Sequence, residues 1–146
     1  MKAVSINISK KKGTPKDSVE KAEFKVNLGI IGDVHAGPGI RQISLLAKES
    51  VDRFQKTPLI KVCLFDGIFG ENIRTQGIEL HTLAIGTILK IGDVVLEVSK
   101  IGKECLKPCA IARNVGDCIM PKEGIFAKVI KGGTAKPGDE ILLSKS

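Results

Sequence analysis

The chain has no tryptophan and no tyrosine, and only five phenylalanines among 146 residues. Its core must therefore be assembled from Ile, Leu and Val. The same shortage weighs against a single-strand nucleic-acid surface, which needs aromatic faces on which bases stack. No helix-turn-helix pattern offsets that argument. The chain also lacks any uninterrupted run of about 18 apolar residues, the length that a membrane-spanning helix requires. Met1–Lys12 holds no apolar segment of the kind that forms a secretory leader. The expected location is therefore the cytoplasm, where thiols stay reduced. Four cysteines in that setting point to buried, reactive or metal-bound thiols rather than disulfides. Acidic residues are the minority, 16 against 23 Lys and Arg, for a formal net charge of +7. A basic surface attracts anions such as phosphorylated cofactors, nucleic acid or acidic partners, but charge alone does not choose among them.

What is present reads as one mainly β domain spanning residues 1–146, with a few short helices and no linker that would divide it. Lys2–Ile8 alternates side chains with period two, as does Lys21–Asn27. Between them Ser9–Ser18, with Lys10, Lys11 and Lys12 beside Gly13 and Pro15, reads as a mobile polar excursion. Leu28–Ile40 carries Gly29, Gly32, Gly37 and Gly39, too many glycines for regular structure, and encloses His35 as a candidate pocket-facing group. Arg41–Leu46 reads as a short strand, Ala47–Phe54 as the best helix, and Leu59–Phe65 as an apolar run that buries Cys63. Strand around Glu71–Arg74 and a connector over Gly77–Leu83 carrying His81 come next. Gly86–Ile91 and Val94–Val98 flank a Gly92-Asp93 turn and form a hairpin. Phe126–Ile130 and Ile141–Leu143 flank Lys136-Pro-Gly-Asp139. Short strands joined by Gly/Asp turns argue for a closed or nearly closed β-barrel.

The stretch Gly102–Gly133 concentrates the chemistry. It holds Cys105, Cys109 and Cys118. Over Lys100–Lys131 seven basic residues face three acidic ones, a local charge of +4. A thiol becomes a nucleophile or ligand only as thiolate, and nearby cations favour that form. Lys103, Lys107 and Arg113 are the sequence neighbours able to do so for Cys109, which follows the backbone-restricting Pro108. The competing site is zinc, held by Cys105, Cys109 and Cys118 with His35 or His81 as a fourth ligand. It shows only one pair of closely spaced ligands where structural zinc usually shows two. Packing is the remaining alternative, and Cys118 fits it best. A Cys109–His35 hydrolase is open on inventory alone, with no support in the spacing.

Several pieces in order give the chain its resemblance. They are Gly32-Asp-Val-His-Ala-Gly37, Arg41-Gln-Ile-Ser-Leu-Leu46, Gly67-Ile-Phe-Gly-Glu-Asn-Ile73, Leu83-Ala-Ile-Gly-Thr87 with Leu89-Lys-Ile-Gly-Asp93, Lys107-Pro-Cys109, and Gly116-Asp-Cys-Ile-Met-Pro121 through Gly124-Ile-Phe-Ala-Lys-Val129. Together they resemble the MOSC domain, named for the C-terminal domain of molybdenum-cofactor sulfurases, and most of all its small stand-alone bacterial members. The resemblance implies a β-barrel like the inserted domain of pyruvate kinase. It implies binding of the molybdenum cofactor, an anionic pterin phosphate that holds molybdenum through sulfur. It places the family cysteine on Cys109, as sulfur bearer or molybdenum ligand, with Cys105 as a second or resolving thiol. Arg41, Asn72, His35, Lys103, Lys107 and Arg113 are then the expected cofactor-binding residues. A cysteine desulfurase, a cofactor-biosynthesis protein or a molybdoenzyme would be the partner. The chain has no pyridoxal-phosphate fold and no counterpart of the extra N-terminal barrel found in the reductases of N-hydroxylated compounds. Catalysis by this chain alone is therefore left open. A molybdenum-dependent reductase with a separate electron donor, and a non-catalytic basic β-barrel interaction module, are the alternatives.

Overall fold

The computed structural model of the chain describes residues 1–11, 14–58, 60, 62–102 and 119–144. Cys105, Cys109, Cys118, Lys103, Lys107 and Arg113 lie outside the described residues. Eleven strands are described: β1 Lys2–Ile8, β2 Asp17–Ser18, β3 Ala22–Lys25, β4 Gly29–Ile30, β5 Ile43–Ala47, β6 Ile73–Gln76, β7 Ile88–Ile91, β8 Val94–Ile101, β9 Ile125–Lys131, β10 Gly133–Ala135 and β11 Ile141–Ser144. One helix, α1, spans Lys48–Gln55, and single helical turns occupy Leu80–Thr82 and Met120–Glu123.

The strands form an eight-stranded sheet in the order β11-β7-β8-β9-β5-β6-β1-β2 and a three-stranded sheet in the order β10-β3-β4. Every pairing is antiparallel except β5 with β6. The mainly β expectation holds, but no continuous ladder closes the large sheet into a barrel. Its ends are tied more loosely. Lys2 bridges Glu140, and the backbone amides of Ala3 and Ile141 donate to Asp139 and Met1 carbonyls.

Period-two alternation sorts side chains onto the two faces of the large sheet. On β9, Ile125, Ala127 and Val129 point one way and Phe126 the other. On β5, Leu45 and Leu46 divide likewise. The inner face packs against the small sheet, burying Phe24, Ile30, Ile43, Leu45, Ile73, Leu89, Ile91, Leu96 and Ile125. Full burial of each large aliphatic side chain is worth about 1.5–3 kcal/mol. The outer face carries a second, smaller core. Leu46 and Phe126 meet Val51 of α1, Ile60, Leu64, Ile68, Phe69, Ile119 and Met120. The β7–β8 hairpin has the predicted turn, with Ile91 opposite Val94.

Two expectations fail. Cys63 is exposed rather than buried, because residues 62–65 form no strand. Among the described residues of this run, the apolar side chains that turn inward are Ile60 and Leu64. Ser9–Ser18 is not a mere excursion. Its second half returns to β1 through Asn7 opposite Ser18, and Lys16 is fully buried. No helix among the described residues is long and apolar enough to cross a membrane.

Gly67 makes that return path fit. Its backbone sits at φ +88°, and an added Cβ would lie 2.2 Å from the Lys16 carbonyl oxygen. The Lys16 amide in turn donates to the Gly67 carbonyl at 2.8 Å. Gly138 has a similar φ of +93° with open space around it. Gly138→Ala should therefore cost only the left-handed backbone strain, about 1–2 kcal/mol. Gly67→Ala should cost at least about 2 kcal/mol more, because a backbone oxygen cannot step aside. Urea unfolding of the two variants checks this, and equal losses would remove the close-approach argument.

Candidate functional site

The outer face of the sheet turns polar where β1, β6 and β5 lie side by side. Ser5 and Asn7 of β1, Ser44 of β5, Asn72 just before β6 and Arg74 within it are all buried. A buried polar group is costly unless it is hydrogen-bonded, and here the Ser5 hydroxyl accepts from the Asn7 carboxamide while the other side chains also bond backbone. The Asn72 carboxamide oxygen accepts from the Ser44 amide at 2.9 Å and the Ser44 hydroxyl at 3.1 Å. Its nitrogen donates to the Asn7 carbonyl at 3.1 Å. Asn72 thus cross-links three strands from beneath the surface, so its place is that of a support for the site.

Arg74 holds the segment ahead of β6. Its guanidinium donates to Glu71, Asp66 and the carbonyls of Leu64 and Phe65 at 2.7–3.1 Å. Only the planar fork of an arginine reaches four such acceptors at once. Burial pushes the Glu71 carboxyl up, and the Arg74 charge beside it opposes that rise. The backbone of Phe69 adds a third bond to the same carboxylate, at 3.1 Å. In this way Gly67-Ile-Phe-Gly-Glu-Asn-Ile73 is a rigid bracket.

Against this bracket rests the Gly32–Gly37 loop between β4 and β5. Asp33 anchors it. One carboxylate oxygen accepts from the Lys16 ammonium at 2.7 Å and from the Ser9 amide at 3.0 Å. The other accepts from the His35 amide at 3.2 Å. Asp33 and Lys16 side chains are 1% and 0% exposed, so the ion pair is fully withdrawn from water. Burial by itself would raise the Asp33 pKa. The Lys16 hydrogen bond and charge and the Ser9 amide, with a smaller contribution from the nearby Asn72 carboxamide, outweigh it and hold the carboxyl below its ordinary value. The Lys16 ammonium also lies 3.2 Å from the Ser9 hydroxyl and 3.1 Å from His35 Nδ1.

Of the residues expected in the site, His35 is held by Asp33 and Lys16, while the Asn72 side chain bonds Ser44 and Asn7 instead. Arg41 lies at the far end of the same loop. It is exposed, and its guanidinium carbon sits 5.6 Å from the centre of the Phe126 ring, a cation–π contact. Phe126 pairs with Lys100 of β8. Nearby, Ile101 pairs with Ile125 and the Gly102 amide donates to the Gly124 carbonyl at 2.8 Å. Ile119, the first described residue after the cysteine-rich segment, packs in the same outer core as Phe126. Among the described residues no group of His, Cys, Asp and Glu could hold a metal ion, and His81 is exposed.

Sequence reasoning missed Lys16 and Asp33. Asp33 was within the quoted Gly32–Gly37 motif, and its two-residue spacing to His35 was the available signal. Nothing local distinguished Lys16 from the lysines before it.

Comparison with known proteins follows the same lines. The sequence model of the MOSC domain matches residues 32–142. The YuaD protein of Bacillus subtilis superposes with a TM-score of 0.81 at 21% identity, over 99% of this chain and 96% of that one. YiiM of Geobacillus stearothermophilus gives 0.75 at 21% identity, over 99% and 75%. A protein named reductase in Gibberella moniliformis is 30% identical over an alignment of 128 residues that covers 79% of this chain. This chain spans only 22% of that relative's length.

The buried ion pair yields a pH signature. Asp33→Asn leaves the Lys16 charge in a dry site without its counter-ion, and stability at pH 7 should fall by about 3–5 kcal/mol. Because the folded-state pKa of Asp33 is depressed, its contribution is complete above the ordinary value of 3.8 and fades as pH falls through the folded value. The difference between wild type and variant should therefore narrow below pH 3.8. Denaturant unfolding across pH 3–7 tests it, and a gap that stays constant over that range would refute the linkage.

Proposed function

We propose, because the chain belongs to the MOSC domain family, that it serves molybdenum-cofactor chemistry through the thiolate of Cys109. MOSC domains are associated with molybdenum-cofactor enzymes and with sulfuration of the cofactor. The observation that carries the reading is the fixed loop between β4 and β5. Asp33 locks one end to Lys16 and the Ser9 amide, and Arg41 stands at the other end over Phe126, which pairs with Lys100 of β8. That edge is cationic and hydrogen-bonding, which suits the phosphate of a pterin cofactor.

In this reading Arg41 and His35 bind and orient the anionic group, joined by Lys103, Lys107 and Arg113 from the sequence neighbourhood of Cys109. Asp33 acts by holding the loop, and Asn72 by cross-linking the strands. The cofactor, when bound, supplies a molybdenum centre that takes a thiolate ligand. The chain supplies that thiolate, with its basic neighbours favouring the ionised form. As a sulfur carrier, the Cys109 thiolate attacks the terminal sulfur of a persulfide on a partner desulfurase. The partner's S–S bond breaks, its cysteine thiolate leaves, and the sulfur stays as a persulfide on Cys109. No electrons are gained or lost overall. Cys105, four residues away, is placed in sequence to act as a resolving thiol.

A second reading is favoured by the match to a protein named reductase, of which this chain would correspond to one part. Here Cys109 ligates molybdenum and a separate protein delivers electrons.

Incubation with a cysteine desulfurase and cysteine should leave a labile sulfur on Cys109, detected by mass spectrometry and absent from Cys109→Ser. No labile sulfur on the wild type, or equal labelling of the variant, rules out the carrier form. Anaerobic loading with the cofactor should leave stoichiometric molybdenum on the wild type, and Arg41→Ala should retain it about tenfold more weakly, equivalent to about 1.4 kcal/mol. Protein that emerges free of molybdenum counts against both the ligand and the reductase forms.

A further inference from the structure

We infer that Lys16 is a positioning residue that fixes His35 in its Nε2–H tautomer, so that the ring presents a proton donor, and not a metal ligand, to whatever meets it. An ammonium has three donors and no acceptor. At 3.1 Å from His35 Nδ1, the Lys16 ammonium can only donate to that nitrogen, and Nδ1 must carry its lone pair toward Lys16. The Asp33 carboxylate, 2.7 Å from the same ammonium, keeps the lysine charged. Asp33 does not compete for the ring proton. Its second oxygen is 3.9 Å from Nδ1 and instead accepts the His35 backbone amide at 3.2 Å. The ring proton is thereby assigned to Nε2.

Two chemical consequences follow. Nδ1 spends its lone pair on Lys16, and Nε2 spends its own on a proton, so neither nitrogen is available to a cation. The partner for the Nε2 edge is an acceptor. The His35 side chain is 38% exposed, enough for an anionic oxygen from solution to reach the ring. That the oxygen belongs to a pterin phosphate rests on the function proposed above; the tautomer does not. Lys16 thus acts on a ligand only through His35, and it does so from a position with no exposure of its own.

The test uses the full chain, labelled with nitrogen-15, carrying His81→Gln so that one imidazole remains. Long-range proton–nitrogen correlation spectra at neutral pH should show an unprotonated Nδ1 and a protonated Nε2. A protonated Nδ1, as in the opposite tautomer or the imidazolium, overturns the inference without any further variant. Lys16→Met should move both nitrogens toward the tautomer average. Lys16→Arg, which keeps a donor at the site, should hold the pattern if Lys16→Met fails to fold. A pattern unchanged in folded Lys16→Met overturns the role of Lys16. Inorganic phosphate should shift Nε2 and leave Nδ1 in place, while zinc should leave both unchanged. Phosphate without effect, or zinc binding to the ring, overturns the donor assignment. Failure of molybdenum loading with these signatures intact would refute the cofactor reading alone.

Discussion

A lysine ammonium taken wholly out of water depends on its partners, and the outer face of this protein is arranged around that requirement. Asp33 neutralises Lys16, and Ser9 gives it a further acceptor. For the two charges to meet, the chain after β1 must double back against the bracket ahead of β6. Only a residue without a Cβ leaves room for that at Gly67. The same carboxylate that compensates Lys16 ties down the loop between β4 and β5. One buried ion pair therefore sets the position of two otherwise irregular segments. Such a pair adds little net stability against an apolar alternative, but removing one member is severe. Its value here lies in specifying a single loop conformation.

This arrangement divides labour among residues that look alike in sequence. Asn72 and Arg74 are two positions apart and lie on one face, and both are consumed by the scaffold. Arg41 and His35 remain where solvent reaches them. The polar character of a motif such as Gly67–Ile73 is thus explained by backbone carbonyls and amides that a sheet edge and a turn leave unpaired. The polar character of the loop between β4 and β5 is only partly explained in that way.

Much of the sheet was legible because period-two alternation and Gly/Asp turns are local signals. The extent of β1 and the β7–β8 hairpin follow from them directly. What failed was non-local. Cys63 reads as core because Leu59–Phe65 is apolar, yet residues 62–65 do not pair with a strand and only selected side chains turn inward. Lys16 stands in a polar stretch that reads as a mobile excursion, and its burial depends on an aspartate 17 residues away. The β2 strand has just two residues and is defined by its partner alone. In the candidate site, the identity of His35 and Arg41 could be read from the motifs. Their fixed geometry could not, since it rests on Lys16 and Phe126 from distant parts of the chain as well as on Asp33 beside His35.

The clamp between Gly102 and Gly124 has a consequence for how such a protein diversifies. It closes the β8–β9 ladder immediately below the cysteine-rich segment, and the outer core seals the other root at Ile119. Insertions between those points leave every described strand pairing untouched. The sequence between those points can thus lengthen or change, and acquire new recognition, on a platform that does not need to change with it.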